Sequence, residues 1–137
     1  MGYAELIGAA LKARQNSYSP YSGYQVGAAL LAKSGKIYTG CNIENAAFGP
    51  TNCAERTAFF KAVSEGERQF DAIAIVGSPA GEPVQLAWPC GVCRQVMMEF
   101  CDPESFVVIA AKSKEEYAVR TLQELLPEGF GPGNLQK

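Results

Sequence analysis

Two stretches of this chain, Ala72-Ile73-Ala74-Ile75-Val76 and Phe106 to Ala111, are apolar without interruption. A strand with one wet face alternates apolar and polar residues. A short unbroken apolar run is expected of a strand covered on both faces. Helices must therefore lie above and below a sheet, and the rest of the chain supplies them. Leu6, Ile7, Ala10 and Leu11 mark a helix over 3–15. A second helix is predicted from Cys53, with Ala58, Phe59, Ala62 and Val63 on one face and Gly66 as its stop. A third is predicted from about Cys90, with Val92, Val96, Met97 and Phe100 on its buried side.

Gln25 to Ala32 and Lys36 to Asn42 read as strands joined at Ser34-Gly35, a hairpin. Glu116 to Val119 reads as a short edge strand, and Thr121 to Leu125 as a short helix before a tail rich in glycine and proline. Tyr18 to Gly23, Asn45 to Asn52 and Gly77 to Pro89 read as loops. The order α-β-β-α-β-α-β-β, closing on α, predicts an α/β fold: a three-layer α/β/α sandwich around a mixed five-stranded sheet. At 137 residues, with no linker, repeat or low-complexity segment, one domain over 1–137 is expected.

Chemistry concentrates where two of the predicted helices begin, at Cys53-Ala54-Glu55 and at Pro89-Cys90-Gly91-Val92-Cys93. A helix N-terminus carries about half a positive charge, which lowers a cysteine pKa and makes thiolate available. Two such ends meeting at one point offer three thiolates to one Zn²⁺. Three protein ligands and an open position are the arrangement of a catalytic zinc. The chain has no histidine, so every mechanism with a histidine base or ligand is excluded. Glu55 is placed to move protons beside the metal. Arg56 stands three residues after Cys53 and is expected to donate a hydrogen bond to a ligand thiolate, offsetting the net −1 of a three-thiolate zinc site.

Plainer readings stand beside these. Alone, Cys90-Gly91-Val92-Cys93 suits a structural zinc or, with Trp88 ahead of it, a redox pair of a thiol–disulfide oxidoreductase. Cys41 is an available fourth thiol for a structural site, although it alternates away from Asn42. Cys41 and Cys101 otherwise read as small buried hydrophobes. A zinc-stabilised interaction domain is the non-enzyme reading.

The chain resembles the small homotetrameric zinc-dependent cytidine deaminases. The likeness runs through Tyr18-Ser19-Pro20-Tyr21-Ser22, Val26-Gly27-Ala28-Ala29-Leu30, Asn42-Ile43-Glu44-Asn45-Ala46-Ala47, Cys53-Ala54-Glu55-Arg56-Thr57-Ala58, Pro89-Cys90-Gly91-Val92-Cys93-Arg94-Gln95 and Glu124-Leu125-Leu126-Pro127. The resemblance implies one Zn²⁺ per chain on Cys53, Cys90 and Cys93, with Glu55 as proton shuttle. It implies that Asn42 and Glu44 hold the sugar hydroxyls of a nucleoside and that the Ala54 backbone contacts the base. Tyr24 falls where the family usually has a phenylalanine beside the substrate. Phe48 and Phe130 match aromatics that approach an active site from neighbouring subunits of a homotetramer.

The implied reaction is hydrolytic deamination of cytidine and 2′-deoxycytidine, a step of pyrimidine salvage. A blasticidin-type or free-base substrate would not need Asn42 and Glu44 in the same way. This chain departs from the family at Tyr24, at Phe48 (which lacks the common hydroxyl), at Trp88 in place of a small residue, and in a longer loop over 77–88. A net charge of −2 without a basic stripe argues against a polynucleotide partner. No apolar run reaches the ~20 residues that span a bilayer. The N-terminus lacks a basic segment followed by an apolar one, which points to a cytoplasmic protein. Reducing surroundings then favour metal binding over disulfides for its five cysteines.

Overall fold

The computed structural model describes residues 2–135. Met1, Gln136 and Lys137, the ends of the span expected for the domain, lie outside the described residues. Helix α1 (Ala4–Arg14) leads into strands β1 (Tyr24–Ala32) and β2 (Ile37–Cys41). Helix α2 (Ala54–Ser64), strand β3 (Phe70–Pro79), helix α3 (Gly91–Phe100), strands β4 (Val107–Ala111) and β5 (Tyr117–Thr121) and the short helix α4 (Leu122–Leu125) follow. The five strands form one sheet in the order β2-β1-β3-β4-β5. Only the β3–β4 pair is parallel, and α3 lies in its crossover. The other neighbours are antiparallel, so the sheet is mixed, as expected.

The two faces of the sheet differ in bulk. Leu30, Ile73, Ile75 and Val108 point to one side, where they pack with Ala58 and Phe59 of α2, Met97 of α3 and Phe106. Ala29, Ala72, Ala74, Val76 and Ala111 point to the other, where Leu6, Ile7 and Ala10 of α1 cover them. The small residues let α1 lie close to the sheet. At Gly27 an added Cβ would meet the backbone of Ala10 and Arg14. Continuous apolar runs did mark strands covered on both faces.

Two differences from the sequence reading have clear causes. β3 runs on through Gly77 and Ser78, which look like turn residues. Gly77 pairs with Val26 on β1 and bridges Gln85 on its other side. Ser78 is fully buried, accepts a hydrogen bond from Arg14 Nη2 and donates to the Glu82 carbonyl. Val92, expected on the buried side of α3, is 57% exposed. The buried stripe of α3 is Cys93 and Met97, and Val92, one helical step of about 100° away, faces outward.

Candidate metal centre and active-site cleft

The metal centre is built from two helix ends. Cys53 is the N-cap of α2 and Cys90 the N-cap of α3, both in extended conformation. Ser, Thr, Asp or Asn usually occupy this position and turn a side-chain oxygen onto the helix N–H groups. Neither cysteine makes a side-chain cap bond, so both sulfurs are free to point at a common centre. Cys93, in the first turn of α3, is buried at 1% exposure. The three Sγ atoms lie within 4.8 Å of one another, the one group of metal-donor side chains found among the described residues.

The donor set fits zinc. Sulfurs ~2.3 Å from a tetrahedral ion stand ~3.8 Å apart, and Cys53 Sγ lies 3.8 Å from Cys90 Sγ. Hydrogen bonds from Cys93 and Arg56 hold the Cys53 thiol down at about 5, which favours its thiolate form. Donating to Cys53, together with burial, pushes the Cys93 thiol up. Arg56 Nη2 donates to Cys53 Sγ at 3.1 Å, the contact expected from its spacing. A guanidinium beside three sulfurs supplies the positive charge that such a cluster needs.

Glu55 follows Cys53 by two residues, yet it is only 4% exposed. Burial is the main cause that raises its carboxyl to about 7, and the neighbouring Cys53 thiolate adds to this. A carboxyl near 7 can both take and return a proton under physiological conditions.

The fold delivers α2 to the cleft through Gly40 on β2. A Cβ there would sit 2.5 Å from the Ala54 carbonyl oxygen and 2.6 Å from the Ala58 nitrogen, so the first turn of α2 rests directly on the strand. Arg94, on α3, donates from Nε to the Pro89 carbonyl at 2.7 Å and from Nη1 to the Leu125 carbonyl at 2.6 Å. It thereby ties the loop entering α3 to the end of α4.

Beside the metal centre runs a cleft of about 500 Å³, within the ~300–1,000 Å³ usual for small-molecule sites. Its lining includes Tyr24, Asn42, Glu44, Cys53, Ala54, Glu55 and Cys90, all singled out from sequence. β2 ends at Cys41, short of the expected Asn42. Single bridges from Ile43 to Tyr18 and to Asn52 continue the pairing. These bridges, rather than strand pairing proper, hold Asn42 and Glu44 on the cleft side, with Ile43 46% exposed.

Asn42 Oδ1 accepts from Val26 N and Ser17 Oγ, and its Nδ2 donates to the Tyr24 carbonyl. One N–H remains available for a ligand. Glu44 accepts from Tyr21 N, Ser22 N and Ser22 Oγ, and the Ser22 bonds hold its carboxyl below the usual range. It therefore stays an anionic acceptor.

Phe48 and Phe130 do not line this cleft. Phe48 is 78% exposed and borders an adjoining hollow with Tyr21 and Glu44. Phe130 is also exposed and lies with Gln95 and Leu135 near the tail. The sequence reading missed Val26, Thr51, Asn52, Ile75, Leu86 and Ala87 as cleft residues. Asn52, immediately before Cys53, carried a positional signal. Ile75 looked only like core.

The family model for the cytidine and deoxycytidylate deaminase zinc-binding region matches residues 3–110. The cytidine deaminase of Sporosarcina psychrophila is 51% identical over 135 residues, 98% of this chain and 96% of that one. The cytidine deaminase of Halalkalibacterium halodurans is 50% identical over 125 residues, 91% of each chain. The crystal structure of cytidine deaminase from Burkholderia pseudomallei superposes with a TM-score of 0.85 at 45% identity, covering 95% of this chain and all of that one. With three thiols and a buried glutamate at the matched region, the chain belongs to the cytidine deaminase family, with its zinc-binding domain.

Proposed function

We propose that this protein catalyses the hydrolytic deamination of cytidine and 2′-deoxycytidine, releasing ammonia and yielding uridine or 2′-deoxyuridine, as a step of pyrimidine salvage. The observation that carries the reading is the convergence of three thiols and the buried Glu55 in one cleft with Asn42 and Glu44. Cys53, Cys90 and Cys93 would hold one Zn²⁺, which when bound supplies the Lewis acidity that makes water a nucleophile near neutral pH. Glu55 takes the proton that the attacking water loses. It passes that proton to the ring nitrogen beside the amino-bearing carbon, then carries the second water proton, from the hydroxyl now on that carbon, to the leaving amine. Arg56, bonded to Cys53, tempers the negative charge of the ligands. The free N–H of Asn42 and the carboxylate of Glu44 take the sugar hydroxyls, Tyr24 flanks the base, and the Ala54 backbone contacts it. The burial that raises the Glu55 carboxyl also keeps bulk water from its proton.

We read the protein as one catalytic domain over 1–137 and as a cytoplasmic homotetramer, with no nucleic-acid or membrane partner. Support for assembly comes from aromatic groups left in solvent around the cleft and tail: Tyr18, Tyr21, Phe48 and Phe130. Second copies would bring Phe48 and Phe130 to neighbouring clefts. Among the described residues no helix is long and apolar enough to cross a membrane, and all five cysteines are free thiols.

The deciding experiment measures zinc content and ultraviolet conversion of cytidine, before and after chelation. About one zinc per chain, with turnover lost on chelation and regained with zinc, is expected. Bound zinc without turnover of cytidine or deoxycytidine would refute the substrate assignment.

A further inference from the structure

The loop over 80–88 is built into the cleft. Gln85 N donates to the Gly77 carbonyl at 2.9 Å, folding the loop back onto β3. Gly77 makes room for it: a Cβ there would lie 3.0 Å from the Tyr24 ring and 3.3 Å from Ala87 Cβ. Leu86, Ala87 and Trp88 thus join Tyr24 in the cleft lining. Trp88 is braced from outside by Arg120 of β5, whose guanidinium carbon stands 5.6 Å from the centre of the indole ring. A cation over an indole face is an attractive contact that fixes ring position.

We propose that Trp88 is a specificity-determining residue that closes the cleft against substituents at C5 of the cytosine ring, and that Arg120 positions it. This rests on the cytidine-deaminating reading. The amino-bearing carbon is flanked by the ring nitrogen on one side and by C5 on the other. Glu55, which serves that nitrogen, belongs to the first turn of α2, the helix that Cys53 caps. Trp88 arrives on the loop entering α3, two residues ahead of Cys90, the N-cap of that helix. With the ring nitrogen at Glu55, we place the C5 edge of the ring against Leu86, Ala87 and Trp88, which line the same cleft from a different segment of the chain. A large rigid ring at this point leaves less room than a small residue would, and no compensating polar group invites a substituent.

The test compares kcat/KM for 5-methylcytidine and cytidine in zinc-loaded protein, with zinc content measured for every variant. The parent protein should prefer cytidine. Trp88→Ala should raise the 5-methylcytidine to cytidine ratio about tenfold, near the low end of what one methyl group is worth in a closed pocket. Trp88→Phe should return it toward the parent value. Arg120→Ala, a change on an exposed residue, should raise the ratio about threefold, as loss of an exposed cation–π contact allows. Arg120→Lys should restore it. A merely structural role would lower both rates together and leave the ratio alone. A ratio unchanged in both Trp88→Ala and Arg120→Ala overturns the proposal. Should Trp88→Ala fail to fold, Arg120→Ala alone decides it. A parent protein that turns over no cytidine overturns the earlier reading instead, so the two failures are distinct.

Discussion

In the proposed reaction Glu55 carries more of the chemistry than any other single residue, and its surroundings make its behaviour measurable. Glu55→Ala should cost about 10²–10⁴ in kcat, the range of a positioned acid–base group, while zinc analysis still finds the metal. Retained turnover would remove Glu55 from the proton path. A stability effect follows from its carboxyl being raised from 4.5 to about 7. The fold favours the neutral form, so this contribution is fully present below the unfolded value and is lost as pH climbs through the folded one. In metal-free protein, a carboxyl raised this far is worth about 3 kcal/mol across that pH window. Glu55→Gln abolishes that dependence, so urea denaturation of the two metal-free proteins should diverge between about pH 4 and 8, the variant being favoured at the alkaline end. Arg56→Gln should weaken zinc retention or activity by about 10–100-fold, the usual weight of a group bonded to a metal ligand. Competition with a chelator reads this directly.

Elements decide how those residues meet. Gly40→Ala forces a methyl into the first turn of α2, where backbone atoms already lie at 2.5 and 2.6 Å. It should cost about 1–3 kcal/mol by overpacking and speed zinc loss to a chelator, since Cys53 and Glu55 ride on that turn. Much at this scale was legible in the residues. Apolar runs reported β3 and β4, helical spacing reported α1 and α2, and the two cysteine segments reported the helix ends. What stayed hidden depended on distant partners. Ser78 reads as a turn residue until Arg14, 64 positions away, bonds to it in the core. Leu86 and Ala87 read as loop until Gly77 offers a place to fold against. Val92 had the right apolarity for α3 but the wrong angle, a distinction of one residue that composition does not carry.

At the scale of the whole molecule, the proposed zinc would link regions far apart in sequence, Cys53 to Cys90 and Cys93. Zinc removal should therefore lower the thermal midpoint, because the ion binds the folded chain and has no preformed site in the unfolded one. Scanning calorimetry with and without chelator checks this. The proposed tetramer makes its own demand. Phe48→Asp places a charge on a ring that is 78% exposed in the single chain and should shift light scattering toward smaller species while each chain keeps its zinc. An unchanged mass would take Phe48 out of the interface.

Arg94 spans two of these regions, gripping the Pro89 carbonyl one residue before Cys90 and the Leu125 carbonyl five residues before Phe130. Thermodynamic linkage makes such a coupling reciprocal. If docking of the tail on a neighbour tightens the ligand loop, an occupied ligand loop tightens docking by the same factor. Assembly and metal uptake would then be two readings of a single free energy, and zinc starvation would register first as a loosening of subunits.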